Sequence, residues 1–199
     1  MRIYDILTAM LKGSPGQSPE PFPLISEIVA ALGPRSFGIV LVLFGLPNLL
    51  PVPGLPMVCG VIIGVIALQM LLGKESLVLP RWVGDRRLKR EDLSKVVAKA
   101  EPGLRTLEKV MRPRWLTLTE PVAQRAIGGM LLILGIALLA PIPFFGGIPP
   151  GIAVILFGLA LVERDGLFVL IGIIASIIAL IFTVALTWAI ARSVVLMFG

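Results

Sequence analysis

Leu46-Pro-Asn-Leu-Leu-Pro-Val-Pro-Gly-Leu-Pro56 is the stretch on which the reading of this chain turns. It holds four prolines and a glycine. It also lies inside residues 36–73, a run with no Asp, Glu, Lys or Arg. Proline removes a backbone donor and clashes with the preceding turn, and it pushes the residue before it out of the α region. The stretch is therefore an irregular backbone where the composition demands a membrane span. Lipid offers no hydrogen bonds, so such backbone persists only when buried in protein or lining a wet cavity.

The surrounding composition places that break in a bilayer. Of the 199 residues, 57% are hydrophobic and 15% charged, and the mean hydropathy is +0.98. Soluble domains run near half apolar and a quarter charged. Two further runs, residues 126–162 and 166–191, also carry no charge, and each of the three exceeds the ~20 residues that cross a hydrocarbon core. A polytopic integral membrane protein is expected. Residues 1–13, with Arg2, Asp5 and Lys12 around a modest apolar face, suit an amphipathic surface helix better than a cleavable signal. With no histidine and one cysteine, Cys59, neither an intramolecular disulfide nor a Cys/His metal site is expected. A net charge of +6 fits a cytoplasmic face meeting anionic headgroups better than nucleic acid.

Working outward, the chain divides into five stretches of one membrane domain. Residues 1–34 form an N-terminal amphipathic segment and linker, with a short helix over 24–32 ended by Gly33-Pro34. Residues 35–73 form a first hydrophobic hairpin, whose arms are 36–46 and 55–73. The first arm is only about 16 Å long at 1.5 Å per residue, half a bilayer. The second contains Gly60-Val-Ile-Ile-Gly64, a spacing that allows close helix approach and also arises by chance in a Gly-rich run. Residues 74–124 form an amphipathic connector, with helices expected over 88–100 and 104–111 and anchors at Arg81-Trp82 and Arg112-Pro-Arg-Trp115. Residues 74–125 carry 13 Lys/Arg against 7 Asp/Glu, so the positive-inside rule places this loop in the cytoplasm. Residues 125–165 form a second hairpin. Residues 166–199 hold a C-terminal transmembrane segment, whose helix is expected over 166–191 and stopped by Arg192.

The hairpins repeat. A shift of 90 positions carries Arg35, Gly38, Gly45, Pro51 and Pro53 onto Arg125, Gly128, Gly135, Pro141 and Pro143. A shift of 94 carries Pro56, Gly64 and Gln69 onto Pro150, Gly158 and Glu163. Interrupted hydrophobic segments at matching places in two halves point to a transporter-like architecture. The expected fold is all-α: two repeats of broken, re-entrant helical hairpins, a C-terminal transmembrane helix and amphipathic surface helices. The repeat axis is left open.

Asn48 is the polar side chain within the first break, where it either staples the turn or touches a ligand. Gln69, Arg35, Arg125 and Glu163 are the other candidate binding residues, read otherwise as interfacial anchors or ion pairs. Pro47, Pro51, Pro53, Gly54, Pro56, Pro141, Pro143 and Pro150 shape the breaks. Helix starts after Pro56 and Pro150 present amide ends that favour an anion, and Gly54, Gly146 and Gly147 admit close backbone approach. These point to a small anionic or zwitterionic solute. Ser176, Thr183 and Thr187 are expected to bond to their own preceding turn. No cofactor and no enzyme activity is expected: Cys59 lacks a base and no paired carboxylates lie in an apolar run.

Arg35-Ser-Phe-Gly38, Leu46-Pro-Asn-Leu-Leu-Pro-Val-Pro-Gly54, Gln69-Met-Leu-Leu-Gly73, residues 104–114, Pro141-Ile-Pro-Phe144 and Glu163-Arg-Asp-Gly166 together resemble the bacterial ExoD family of exopolysaccharide synthesis proteins. The resemblance spans residues 24–186. It departs at residues 144–150, where a shorter turn bearing an asparagine is the family pattern. It implies a bacterial inner-membrane protein linked to exopolysaccharide production. Two functions follow as expectations: a homodimeric small-solute transporter working between the two breaks, or a non-transporting accessory protein of polysaccharide synthesis that binds lipid or partners through its basic loop.

Overall fold

The computed structural model describes residues 25–79, 121–140 and 146–198. Every regular element in them is helical: α1 (Ile25–Leu32), α2 (Arg35–Gly45), a 3-10 turn (Leu46–Leu49), α3 (Leu55–Leu71), α4 (Pro121–Leu138), α5 (Ile148–Glu163) and α6 (Gly166–Phe198). The expected surface helices over 1–13, 88–100 and 104–111, the anchors at 81–82 and 112–115, and Pro141 and Pro143 lie outside the described residues. Punctuation sets the boundaries. Gly33 turns left-handed (φ 54°) between α1 and α2, and Gly54 does the same (φ 83°) ahead of α3, a conformation that costs glycine nothing. Prolines occupy the first turns of α3 and α5, where a missing N–H does no harm.

The hairpins do not close on themselves. α2 packs chiefly on α5 and α3 packs chiefly on α4, so each arm of one hairpin is partnered by the opposite arm of the other. Both crossings are antiparallel and run backbone on backbone. A Cβ at Gly38 would stand 2.5 Å from the Gly158 carbonyl oxygen, and one at Gly158 would stand 2.8 Å from that of Gly38. In the other crossing, Gly60 and Gly135 face each other's carbonyls at 2.8 and 3.1 Å. Without apolar surface to remove from water, helices in lipid associate by such close van der Waals contact. Of the Gly60/Gly64 pair, Gly60 is where an added side chain would collide with the opposing helix, whereas one at Gly64 would meet nothing closer than 4.0 Å. The crossings are not identical: the sequence shifts would pair Gly128 with Gly64, but Gly128 meets Ala67 and Leu71, about one turn further along.

Charge and length give the molecule two ends. Arg35, Lys74, Glu75, Arg125, Glu163, Arg164 and Asp165 all fall where α2, α4 and α6 begin and α3 and α5 end. The opposite end carries the first break, with Leu46, Leu50 and Val52 exposed there, together with the end of α4, where Leu139 is exposed. α6 is longer than the rest. Its segment Gly166–Ser193 is long and apolar enough to cross a bilayer, and only 28% of its most apolar window is buried inside the chain. A soluble core helix of that hydropathy would be covered. Gly172 of α6 abuts the Phe157 ring of α5. Nine residues back from Phe157, α5 begins, so the breaks lie level with about residue 181 of α6, some 14 Å from that contact. Trp188 and Arg192, stacked with the guanidinium 5.5 Å from the ring centroid, stand about 10–17 Å beyond. Arg192 ends the apolar run but does not end the helix, which continues to Phe198. Arginine is a good helix former, so the hydropathy boundary and the helix boundary part company there.

Candidate functional site

Asn48 occupies the meeting point of three chain segments. It belongs to the 3-10 turn that prolongs α2, and its side chain is 1% exposed. Its Nδ2 donates to the Phe44 carbonyl at 2.6 Å, across one turn. The side chain also meets the thiol of Cys59, in the second turn of α3. Across from it, a Cβ on Gly151 of α5 would stand 2.7 Å from the Asn48 Cβ, and one on Gly147 would stand 2.7 Å from the Pro56 ring. Both second arms therefore begin against Asn48. Its amide oxygen Oδ1 accepts no hydrogen bond and is shut off from solvent, an arrangement that costs about 1–3 kcal/mol for a buried acceptor. Asn48 thus staples the turn with one atom and leaves the other open to a donor.

The helix starts around Asn48 combine prolines with amides already bonded within the chain. Pro56, Pro149 and Pro150 have no N–H to offer. The Leu55 N–H donates to Val52, Val58 to Gly54, and Gly151 to Gly147. Gly147 is occupied by the chain itself, since Pro56 packs where its side chain would be, whereas the space beside Gly54 is open.

The remaining candidates gather about 20 Å away at the charged end, counted along α2 and its turn. Arg35 is half-buried at the start of α2 and feels Glu163 as an attraction and Arg164 as a repulsion, both at the end of α5. Arg164 closes α5 in the left-handed region at φ 54°. Asp165, 2% exposed, accepts the Leu167 N–H at 3.0 Å and so caps α6, stabilising its exposed amide end. Arg125 is exposed, with its guanidinium across the turn at Gly73. Gln69 is engaged structurally: its Oε1 accepts the Val78 N–H at 2.8 Å and its Nε2 donates to the Val78 carbonyl at 3.2 Å. Ser36 adds a second staple, accepting the Leu77 N–H and donating to Gly33. The five candidates therefore separate, with Asn48 alone at the breaks and Arg35 beside Glu163 at the far end. Ser176 and Thr187 bond to carbonyls one turn back, as expected, but the buried Thr183 Oγ1 makes no such bond, contrary to the expectation for it. Cys59 was legible only as a lone thiol, and its place beside Asn48 comes from the fold. Among the described residues no group of three or more His, Cys, Asp or Glu could hold a metal ion.

Among the described residues every regular element is helical and one apolar helix is long enough to cross a bilayer, features that point to a membrane protein. The family follows from comparison. The family model described as exopolysaccharide synthesis, ExoD, matches residues 4–185, and this chain belongs to that family. It is 31% identical over 175 residues to Protein ExoD of Rhizobium meliloti, covering 84% of this chain and 70% of that one. It is 29% identical over 157 residues to the uncharacterised protein slr1875 of Synechocystis sp., covering 77% of this chain and 74% of that one. No solved structure is significantly similar. The family resemblance read from the motifs is thereby upheld, and with it the link to exopolysaccharide synthesis.

Proposed function

We propose that this protein is a multi-pass transporter of the bacterial inner membrane that moves a small solute through a site between the two hairpins, in the service of exopolysaccharide production. The observation that carries the reading is Asn48: a buried amide with an unpartnered oxygen, set where two broken hairpins cross-pair. A purely structural turn would gain by replacing that oxygen with a methyl group. The crosswise pairing also supports treating the hairpins as two repeats, re-entrant from the charged side, with the basic loop 74–125 in the cytoplasm. In this reading the packed break is the occluded form, and solute access requires the hairpins to part at their glycine crossings. The proline-stripped helix starts weaken the case for an anionic solute and leave a neutral, zwitterionic or cationic one. A second copy of the chain completes the pathway wall in a homodimer, and catalysis plays no part.

The test is flux. Full-length protein reconstituted in vesicles should pass at least one class in a panel of sugars, amino acids, small organic acids and alkali salts faster than protein-free vesicles. Asn48→Leu should abolish the difference. A folded protein that passes none of the panel removes the transport reading and leaves the accessory one.

A further inference from the structure

We infer that the crevice between α4, α5 and α6 seats one acyl chain of an acidic phospholipid, with its headgroup at the charged end beside Arg164. The inference rests on the membrane setting of the chain and is independent of transport.

The space follows from where the glycines lie. On α4, Gly135 sits against the backbone of Gly60, and Gly128 against Ala67 and Leu71, so α4 is drawn onto α3. On α6, Gly172 admits the Phe157 ring, 3.1 Å from where a Cβ would stand, so α6 is drawn onto α5. α4 and α6 both leave the charged end and run alongside α5. The seam between them holds a crevice of about 210 Å³. Ala123, Ala126 and Met130 line it from α4, Val169 and Ile173 from α6, and Phe157 from α5. The alanines are too short to fill the gap that the two glycine-led pairings leave.

Shape and lining select the occupant. No polar side chain is among the described residues that line the crevice, so water and polar solutes find no partner there. A helix is about 10–12 Å across and too wide to enter. From Ala123 to Met130 the crevice runs about 10 Å, within the ~15 Å that one leaflet gives to the hydrocarbon core. It begins one turn from the charged end, at Ala123 and Val169, and reaches the surface at the exposed Ala126. A flexible hydrocarbon chain hanging from a headgroup at that end matches the depth, the width and the polarity together. Charge then selects the headgroup. Where α5 passes into α6, Glu163 attracts Arg35 and Asp165 caps α6 through the Leu167 N–H, while Arg164 is exposed. Arg164 lies two helical turns beyond Phe157, about 10 Å nearer the charged surface. The positive pole of α4 stands at the same end. A phosphate diester meets both, and a zwitterionic headgroup adds a cation that Arg164 repels.

Native mass spectrometry tests the site, with purified full-length protein stripped in detergent and offered equal phosphatidylglycerol and phosphatidylcholine of matched chains. The wild type should retain one lipid per protomer and favour phosphatidylglycerol about fivefold, the weight of one arginine near an anionic headgroup. Arg164→Gln should retain lipid with that preference gone. Ala126→Phe, which fills the crevice from an exposed position, should lose the retained lipid. Phosphatidylglycerol carrying a diazirine midway along one chain should cross-link the wild type within residues 123–130 or 169–173. A wild type without headgroup preference, undiminished retention in Ala126→Phe, or cross-links confined to other segments would each overturn the site. A wild type that retains no lipid would overturn it too, and would mean that the protein's own chain covers the crevice. The preference and the cross-link map need no variant, so misfolding of either substitution leaves the test intact. Lipid retention without solute flux keeps this site and removes only the transport proposal. Flux without retained lipid does the reverse.

Discussion

At the scale of single residues, the glycines of this protein are not equivalent. Gly38 and Gly60 sit under opposing backbone, at 2.5 and 2.8 Å from carbonyl oxygens, whereas the nearest atom to a Cβ on Gly64 is a Leu132 methyl at 4.0 Å. Backbone cannot retreat as a flexible side chain can. Gly38→Ala and Gly60→Ala should each lower stability by about 1–3 kcal/mol, the range for overpacking a tight interface. Gly64→Ala should be neutral or mildly stabilising, because alanine restricts the unfolded chain without meeting an obstacle. Thermal unfolding in one detergent ranks the three, and equal effects at Gly60 and Gly64 would contradict the packing described. Arg164 supplies a complementary case. Its left-handed backbone penalises any residue with a Cβ, so Arg164→Gly should be more stable than Arg164→Ala by about 1 kcal/mol.

At the scale of elements, the short segment 74–79 is held to the hairpin ends by side chains rather than by a helix. Gln69 closes a two-bond ring with Val78, and Ser36 receives Leu77. Gln69→Leu should release that segment while the helices stay in place. The Leu77 and Val78 amides should then exchange hydrogen roughly five- to tenfold faster, at about 1 kcal/mol per bond lost. Unchanged exchange there would reduce the ring to an incidental contact. The sequence made the elements themselves visible, since Gly33-Pro34, Gly54, Gly73 and the prolines bracket α1, α2 and α3 closely. It could not show which arm pairs with which, because helices apolar all round carry no face to read. Nor could it show that Gln69 binds backbone, as any residue at position 78 would offer the same N–H and carbonyl. Asn48 was visible as an oddity, and its division into one bonded and one unpartnered atom was not.

At the scale of the whole molecule, the hairpins and α6 disagree in length, and that sets depth. From Gly166 to Arg192, α6 covers about 39 Å, close to a bilayer with its headgroups. The breaks stop about 10–17 Å short of Trp188 and Arg192, so the proposed re-entrant arrangement can be read with a cysteine probe. In a Cys59→Ser background, Lys74→Cys should react with an impermeant thiol reagent from one side only and Ser193→Cys from the other. Val52→Cys, at the exposed apolar tip, should react from neither. Labelling of Val52→Cys from the Ser193 side would mean that the hairpins span. The crosswise pairing has a further consequence in time. Gly38 waits for Gly158, and the ribosome, adding about 5–20 residues per second, delivers that partner some 6–24 s later. During that interval the first hairpin stands with its glycine faces bare. A nascent chain halted before α5 should therefore be the form of this protein most exposed to quality-control proteases and most in need of an insertase to shelter it.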